Sequence, residues 1–336
     1  MQVEDEFPAG PVGSSTQTAC VLPADRVSST LVTLAMRVAT LLIAILAPAL
    51  SASGAGTTFR SGTSLVLVNI SVLDPRDRPV TGLSRTQFHI LDNGREQLIQ
   101  YFAHEDSPVS LAVILDASGS MTAKWSRARA MLASFCENLA SGDELFLVTV
   151  GQRPKVQTDY TSDCAELQNG LLLTQPQGAT ALLDAIPLAV KHLRQARHAR
   201  HAILIISDGG ENASHTRLAT IRTLAREANA QIYSATLGLE PAFTHPMWPG
   251  EANGPQLLNE IADFTGGRAF AIDDGRRIAD VAVALSREIH DQYVIGYQPP
   301  EGIDDGKYHR ISVKIHRDST QPRFSLFHRS GYRAPQ

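Results

Sequence analysis

The chain has 336 residues, with 30 Lys or Arg and 34 Asp or Glu side chains and a formal net charge of -4. This length is large for a single domain and predicts two compact units. Because the charge is slightly negative, electrostatics do not favour a nucleic acid as a partner. The most basic stretch, residues 191–201, lies at a predicted helix end, where cations interact favourably with the helix dipole.

The N-terminal region contains a short apolar segment at residues 38–50, with the sequence VATLLIAILAPAL. It is shorter than the roughly 20 residues that a membrane-spanning helix needs, and small residues follow it at 51–55. We therefore predict that residues 1–55 are a leader with a signal peptide, so that the protein is exported to the periplasm, the cell envelope or the extracellular space. Acidic residues near the N-terminus fit a signal peptide poorly and favour Met36 as the true start. The alternative is an uncleaved segment at residues 31–50 that anchors the protein in the membrane.

Residues 56–106 have the pattern of β-strands. The run at 65–72, LVLVNISV, is rich in β-branched side chains and is typical of a strand. Residues 88–91 and 97–102 flank an Asn-Gly dipeptide, which predicts a β-hairpin.

Between residues 107 and 291 the pattern changes to alternating strands and helices. This alternation predicts an α/β domain with a doubly wound, mostly parallel sheet and helices on its faces. The predicted strands are residues 109–115, 145–150, 202–206 and 231–237, with 156–160 added at the edge as a hairpin. The predicted helices, assigned from apolar stripes at helical spacing, are residues 125–139, 180–196, 218–228, 258–264 and 278–289.

The chain returns to a β pattern in residues 292–336. Strands are predicted at 292–297, 308–316 and 324–327. Three strands alone make a poor hydrophobic core. We therefore predict that residues 292–336 pack with residues 56–106 as a small flanking β-domain.

Three short segments place oxygen-bearing side chains where predicted strands end or helices begin. Asp116, Ser118 and Ser120 follow the first strand of the α/β domain, Asp208 follows a later strand, and Thr180 lies at the start of a helix. In parallel α/β sheets, ligands bind beyond the carboxyl ends of the strands, where the strand order reverses. Each segment alone is typical of a helix N-cap. Together they predict a site for a hard divalent cation, which prefers oxygen ligands.

The pattern Asp116-x-Ser118-x-Ser120, followed by Thr180 and Asp208, resembles the metal-ion-dependent adhesion site of the von Willebrand factor type A (VWA) family. The resemblance covers about residues 107–291 and implies a Rossmann-like fold. The layout is also similar to bacterial exported "VWFA-related" proteins, which carry a short β segment before the domain and a β tail with Gly-Tyr pairs after it. The pairs Gly296-Tyr297 and Gly331-Tyr332 fit that tail.

The resemblance also implies a cofactor and a role for each residue. The cation would be Mg²⁺ or Mn²⁺, ligated directly by Ser118 and Ser120. Thr180 would contact it directly or through water, and Asp116 and Asp208 would act mainly through waters or hydrogen bonds. Neutral hydroxyl ligands leave such a cation electron-poor, so the acidic side chain of a protein partner can complete its coordination.

A long loop at residues 238–255 follows a strand that ends at the same edge of the predicted sheet. Its aromatic and apolar side chains Phe243, Met247 and Trp248 are candidate partner contacts. The alternative is that they cover the underside of the loop itself.

No sequence motif indicates an enzyme. The chain lacks a His-Glu-x-x-His motif, a phosphate-binding glycine loop and a Gly-x-Ser-x-Gly motif. We therefore predict a non-catalytic, exported, metal-dependent adhesion or protein-binding module. The alternatives are a structural subunit of an envelope assembly with a stabilising metal, or a cytoplasmic partner of an ATPase, which the leader argues against. Cys136 and Cys164 are predicted to be free thiols, with a disulfide between them as the alternative.

Overall fold

The computed structural model describes residues 65–105, 107–238, 254–299, 305–317 and 321–334. All of them lie within one compact unit, residues 62–336. The predicted leader and the loop residues Phe243, Met247 and Trp248 lie outside the described residues, as do the candidate start and anchor segments.

A six-stranded sheet lies at the centre of the α/β part. Its strands are β5 (Val109–Asp116), β6 (Glu144–Val150), β7 (Lys155–Thr161), β8 (Arg200–Ser207), β9 (Gln231–Leu237) and β10 (Ala269–Ile272). The order across the sheet is β10-β9-β8-β5-β6-β7. Neighbouring strands are parallel except at one edge, where β7 runs antiparallel to β6.

Helices cover both faces of this sheet because the strands are apolar on both sides. Along β5, Leu111 and Val113 face one core cluster, whereas Ala112 and Ile114 face another. The first cluster is covered by α1 (Trp125–Cys136), α2 (Cys164–Gly170) and α6 (Ile278–His290). The second is covered by α3 (Leu182–Leu193), α4 (Leu218–Ala228) and α5 (Gly254–Thr265). Among the described residues, no helix is both long and apolar enough to cross a membrane.

Two antiparallel sheets combine strands from the two ends of the chain. One has the order β13-β1-β11-β4 and the other has the order β14-β12-β2-β3. The N-terminal strands are β1 (Val66–Leu73), β2 (Phe88–Asp92), β3 (Arg95–Gln97) and β4 (Ile99–Glu105). The C-terminal strands are β11 (Gln292–Tyr297), β12 (Tyr308–Ile315), β13 (Ser325–His328) and β14 (Gly331–Arg333). The predicted fold class, a mostly parallel α/β sheet with a flanking β part built from both ends, is confirmed.

The predicted N-terminal hairpin is only partly correct. β2 pairs with β3 across Asn93-Gly94, and both residues have positive φ, as a type I′ turn requires. However, β4, which contains the apolar run assigned to the second strand, pairs with β11 in the other sheet. The short strands β10 and β14 were also not predicted.

A buried carboxylate links the N-terminal and C-terminal strands. Asp92 Oδ2 accepts hydrogen bonds from Tyr297 Oη at 2.9 Å and Tyr332 Oη at 2.8 Å. Its Oδ1 lies 3.1 Å from Nδ1 of His309. These tyrosines belong to the two Gly-Tyr pairs of the tail, so both pairs converge on one acceptor from β2. Gly331 has no room for a Cβ because the carbonyl of His309 and the ring of Tyr308 lie against it.

The end of α6 is held by a buried histidine. His290 Nε2 lies 2.9 Å from Asp143 Oδ2, and its Nδ1 lies 2.7 Å from the carbonyl oxygen of Ser286. Both ring nitrogens face acceptors, so the doubly protonated imidazolium satisfies both contacts. Burial and the nearby Arg200 oppose this charge, but the hydrogen bonds to Asp143 and Ser286 outweigh them and raise the pKa of His290. Asp143 also accepts from the backbone N–H of Val109, and its pKa is lowered despite its burial.

We expect part of the stability to be lost as the pH rises through the folded-state pKa of His290. The folded chain holds the His290 proton more tightly than the unfolded chain does, so the contribution is complete below about pH 6.5 and disappears at higher pH. Urea unfolding at about pH 6 and pH 9 measures it, with His290→Gln as the comparison. If His290→Gln showed the same difference in free energy of unfolding between the two pH values as the wild type, the pH dependence would not come from His290.

The two cysteines of the α/β part are both free thiols. Cys136 is the buried last residue of α1, and Cys164 is the first residue of α2 and packs against the same core cluster. Burial raises the pKa of the Cys136 thiol, and the neighbouring Cys164 raises it further. A thiol in such surroundings behaves as a small apolar side chain.

Candidate metal centre

The candidate site lies at the carboxyl ends of the adjacent parallel strands β5 and β8. Asp116 is the last residue of β5, and Asp208 directly follows Ser207, the last residue of β8. The chain runs from β5 to β6 on one side and later returns to β8 on the other, so the strand order reverses here. Parallel sheets open a crevice for ligands at such a point.

Asp116 is fully buried, and its carboxylate accepts hydrogen bonds that hold the loop after β5 against β8. Its Oδ1 accepts the backbone N–H of Ser118 at 2.9 Å, and its Oδ2 accepts the hydroxyl of Ser207 at 2.6 Å. Burial and the charge of Asp208 raise the pKa of Asp116 to about 6, although the hydrogen bonds from Ser207 and Ser118 lower it. The carboxylate therefore lies in surroundings that favour a cation nearby.

The two serines are brought together by the same loop. Ser118 has an extended backbone and precedes a 3-10 turn, Gly119–Lys124, so its Oγ lies 3.2 Å from that of Ser120. The backbone N–H of Gly119 donates to the carbonyl of Gly178 at 3.0 Å. A Cβ on Gly119 would lie 3.2 Å from that carbonyl oxygen, so glycine permits the close approach of the two loops.

Thr180 lies before α3 rather than inside it, which corrects the predicted helix start. Its N–H donates to Oδ1 of Asn212 at 2.9 Å, and its carbonyl accepts the N–H of Asn212 at 3.1 Å. The N–H of Leu183 donates to Oε2 of Glu211 at 2.8 Å. The loop after Asp208 thus occupies the Thr180 carbonyl, which in a longer helix would accept the N–H of Asp184, and it fixes the position of Thr180.

Asp208 has both carboxylate oxygens engaged. Oδ1 accepts the N–H of Gly210 at 3.0 Å, and Oδ2 accepts Nζ of Lys124 at 2.6 Å. Lys124, the last residue of the 3-10 turn, is only 3% exposed. Sequence patterns did not identify Lys124, Asn212 or Glu211 as part of the site.

Oxygen atoms from three segments converge on the space above Gly210. A Cβ built on Gly210 would lie 3.2 Å from Asp208 Oδ1, 3.6 Å from Thr180 Oγ1 and 3.7 Å from Ser120 Oγ. With Asp116 and Ser118 adjoining, all five residues predicted from the sequence lie together. Hydroxyl and carboxylate oxygens of this kind fit a hard divalent cation. Within the described ranges, no group of three or more His, Cys, Asp or Glu side chains could hold a metal, so a cation here would depend on the hydroxyls.

The neighbouring edge of the site is formed by β9 and α5. β9 is parallel to β8 and therefore ends at the same edge of the sheet. α5, which begins at Gly254, lies at this edge as well. Gly209 has a φ of +83°, and a Cβ on either Gly209 or Gly254 would overlap the backbone of the other. The start of α5 is thus packed directly on the residue after Asp208.

Comparison with known families identifies the α/β part. Residues 111–211, which contain all five candidate ligands, match the family model of the von Willebrand factor type A domain. The chain therefore contains a domain of the VWA family.

Relatives are distant. An uncharacterized protein of Borreliella burgdorferi is 24% identical over 192 residues, which cover 51% of this chain and 56% of the relative. The chain thus matches about half the length of that curated relative.

Several solved structures match this chain at low sequence identity. The conserved hypothetical protein BatB of Bacteroides thetaiotaomicron is 20% identical, with a TM-score of 0.42, over 54% of this chain and 98% of that one. A von Willebrand factor type A protein of Catenulispora acidiphila is 14% identical, with a TM-score of 0.45, over 82% and 75%. The vWF domain of the type V pili tip protein Mfa5 of Porphyromonas gingivalis is 13% identical, with a TM-score of 0.43, over 56% and 96%.

Proposed function

We propose that this chain is an exported, non-catalytic protein that binds Mg²⁺ or Mn²⁺ at the centre formed by Asp116, Ser118, Ser120, Thr180 and Asp208, and that it uses this centre to hold a protein partner. VWA domains generally mediate protein–protein interactions, and proteins of this family are mostly non-catalytic. The observation that carries the metal-dependent mode is the convergence of carboxylate and hydroxyl oxygens on the space above Gly210.

The residues divide into ligands and residues that orient them. The hydroxyls of Ser118, Ser120 and Thr180 are neutral donors that would hold the cation. Each oxygen of Asp116 already accepts one hydrogen bond, as does each oxygen of Asp208, which fits a role in orienting the hydroxyls and bound water. A bound cation would supply an electron-poor coordination position for a partner carboxylate.

The segment that leads to Thr180 carries two exposed apolar side chains. Leu172 is 66% exposed and Leu173 is 96% exposed. The loop is docked against the site because the N–H of Gln177 donates to the carbonyl of Ala117 at 2.9 Å. We propose that these side chains also contact the partner, which would then present an acidic side chain among apolar ones.

The first test compares the capture of envelope proteins by the full chain in Mg²⁺ and in EDTA. The second measures Mn²⁺ affinity by a titration followed by electron paramagnetic resonance. We expect capture to disappear in EDTA and in Ser118→Ala, and Mn²⁺ affinity to fall in Ser118→Ala. The double variant Leu172→Ser/Leu173→Ser should weaken capture but leave Mn²⁺ affinity unchanged.

The matched control is Leu98→Ser, because Leu98 is 75% exposed but lies between β3 and β4 in the flanking β part. This variant should behave as the wild type. Capture that persists in EDTA would contradict metal-dependent binding. A large fall in melting temperature on chelation, with no captured partner, would instead indicate a stabilising metal in a structural subunit.

A further inference from the structure

We propose that Lys124 is an internal counter-ion of the metal centre, which stabilises the metal-free site and keeps its affinity for the cation weak and responsive to a partner carboxylate. The effect on metal affinity rests on the proposed function. The effect on the metal-free protein depends only on the Lys124–Asp208 ion pair.

The fold places this ammonium group inside the site. Lys124 ends the 3-10 turn that begins directly after Ser118, so the loop that supplies the hydroxyls also supplies a positive charge. Its Nζ lies 2.6 Å from Asp208 Oδ2, and the side chains of Lys124 and Asp208 are 3% and 5% exposed. Lysine is almost never buried without a partner, because desolvation of its charge is costly. Asp208 is therefore the group that allows Lys124 to lie in the interior.

The two acidic side chains need a counter-ion even in the absence of metal. Asp116 and Asp208 are both buried at the carboxyl ends of the adjacent parallel strands β5 and β8, so two like charges lie close together. In the described part of the chain, the ion pair with Lys124 is the only one made by either carboxylate. Without Lys124, two buried like charges would remain without an ion-pair partner, which destabilises the fold.

The positive charge of Lys124 also changes the net charge of the centre when a divalent cation binds. Two carboxylates and one ammonium leave a single negative charge, which a divalent cation converts to a single positive charge. A partner carboxylate then neutralises the centre. Without Lys124, the metal-loaded centre would already be neutral, so metal would bind more tightly and the attraction for an acidic partner would be weaker.

The decisive variant is Lys124→Met, which keeps a long unbranched side chain but removes the charge. In the full chain, we expect Mn²⁺ to bind about tenfold more tightly than in the wild type, as measured by electron paramagnetic resonance titration. In EDTA, the melting temperature should fall by several degrees, and saturating Mn²⁺ should recover most of the loss. The increase in melting temperature on adding Mn²⁺ should therefore be larger in Lys124→Met than in the wild type.

The double variant Lys124→Met/Asp208→Asn separates charge pairing from packing. It removes both charges, so its melting temperature in EDTA should be higher than that of Lys124→Met alone. Should the second substitution restore nothing, Lys124 would be a packing residue and the inference would be wrong. Lys124→Met could fail to fold in EDTA. In that case, folding of Lys124→Met in Mn²⁺, or folding of the double variant in EDTA, supports the inference. If neither folds, the inference is overturned.

Failure of this inference can be distinguished from failure of the proposed function. A wild-type chain that binds no Mn²⁺ would contradict the proposed function, whereas the EDTA comparison would still test the counter-ion. A wild-type chain that binds Mn²⁺ with the same affinity as Lys124→Met would leave the proposed function standing and overturn the role of Lys124 in setting that affinity.

Discussion

Gly210→Ala is expected to lower Mn²⁺ affinity by about 100-fold and to abolish EDTA-sensitive partner capture, while the domain stays folded. The added methyl group would point into the space where Asp208, Thr180 and Ser120 present oxygens, at distances of 3.2 to 3.7 Å. An apolar group there would occupy the position proposed for the cation or its bound water. The backbone of Gly210 does not require positive φ, so alanine introduces no conformational strain.

Mn²⁺ titration measures this effect, and circular dichroism checks the fold. Gly151→Ala is the matched control, because Gly151 follows β6 near the same edge and a Cβ there meets only the carbonyl of Gln177 at 3.9 Å. The control should bind Mn²⁺ like the wild type. Wild-type affinity in Gly210→Ala would show that the cation does not bind above Gly210.

Asp92→Ala is expected to lower the free energy of unfolding by about 3 to 5 kcal/mol. The substitution removes the shared acceptor of two buried tyrosine hydroxyls and the partner of His309. Buried polar groups left without partners cost considerably more than the hydrogen bonds themselves contribute. The loss should be large because Asp92 joins β2 to both Gly-Tyr pairs of the C-terminal strands.

Urea unfolding measures the loss in free energy of unfolding. Three further variants show which contacts of the buried cluster contribute to it. Tyr297→Phe and Tyr332→Phe each remove one donor and should cost only about 1 to 2 kcal/mol. Asp305→Ala removes a partly exposed carboxylate on the other side of His309 and should cost less than about 1 kcal/mol. A similar small effect for Asp92→Ala would mean that the buried cluster does not stabilise the flanking β part.

Sequence patterns predicted the α/β sheet well because its strands are long, apolar on both faces and separated by amphipathic helices. β9, for example, has the predicted bounds, as does β11 in the flanking β part. The pattern did not predict which strand pairs with which. β4 has the alternation of a hairpin strand, but alternation specifies a face and not a partner, so its pairing with β11 could not be predicted. β14 is only three residues long, too short to show a period.

The five candidate ligands were predictable because each follows a strand or precedes a helix in a recognisable order. The residues that hold them were not. Asn212 and Thr180 are separated by 32 residues, and only the folded loops bring them together. Lys124 was missed for a different reason: lysine is almost always exposed, so nothing in a polar stretch indicates that one will be buried beside a carboxylate. Gly210 looks like an ordinary loop glycine in the sequence, because only the folded chain brings the oxygens of Asp208, Thr180 and Ser120 around it.

The chain enters and leaves the α/β part through neighbouring strands. β4 leads into β5 and β11 follows α6, and β4 and β11 are paired so that Glu105 lies opposite Gln292. The entry and exit points are therefore about 5 Å apart, one strand spacing. The α/β part is thus an insertion between two paired strands: joining residues 105 and 292 by a tight turn would leave both antiparallel sheets with every strand. If the α/β part holds a partner as proposed, a tensile load on that partner would pull β4 and β11 from the same end and in the same direction, so the load would not separate these two strands from each other.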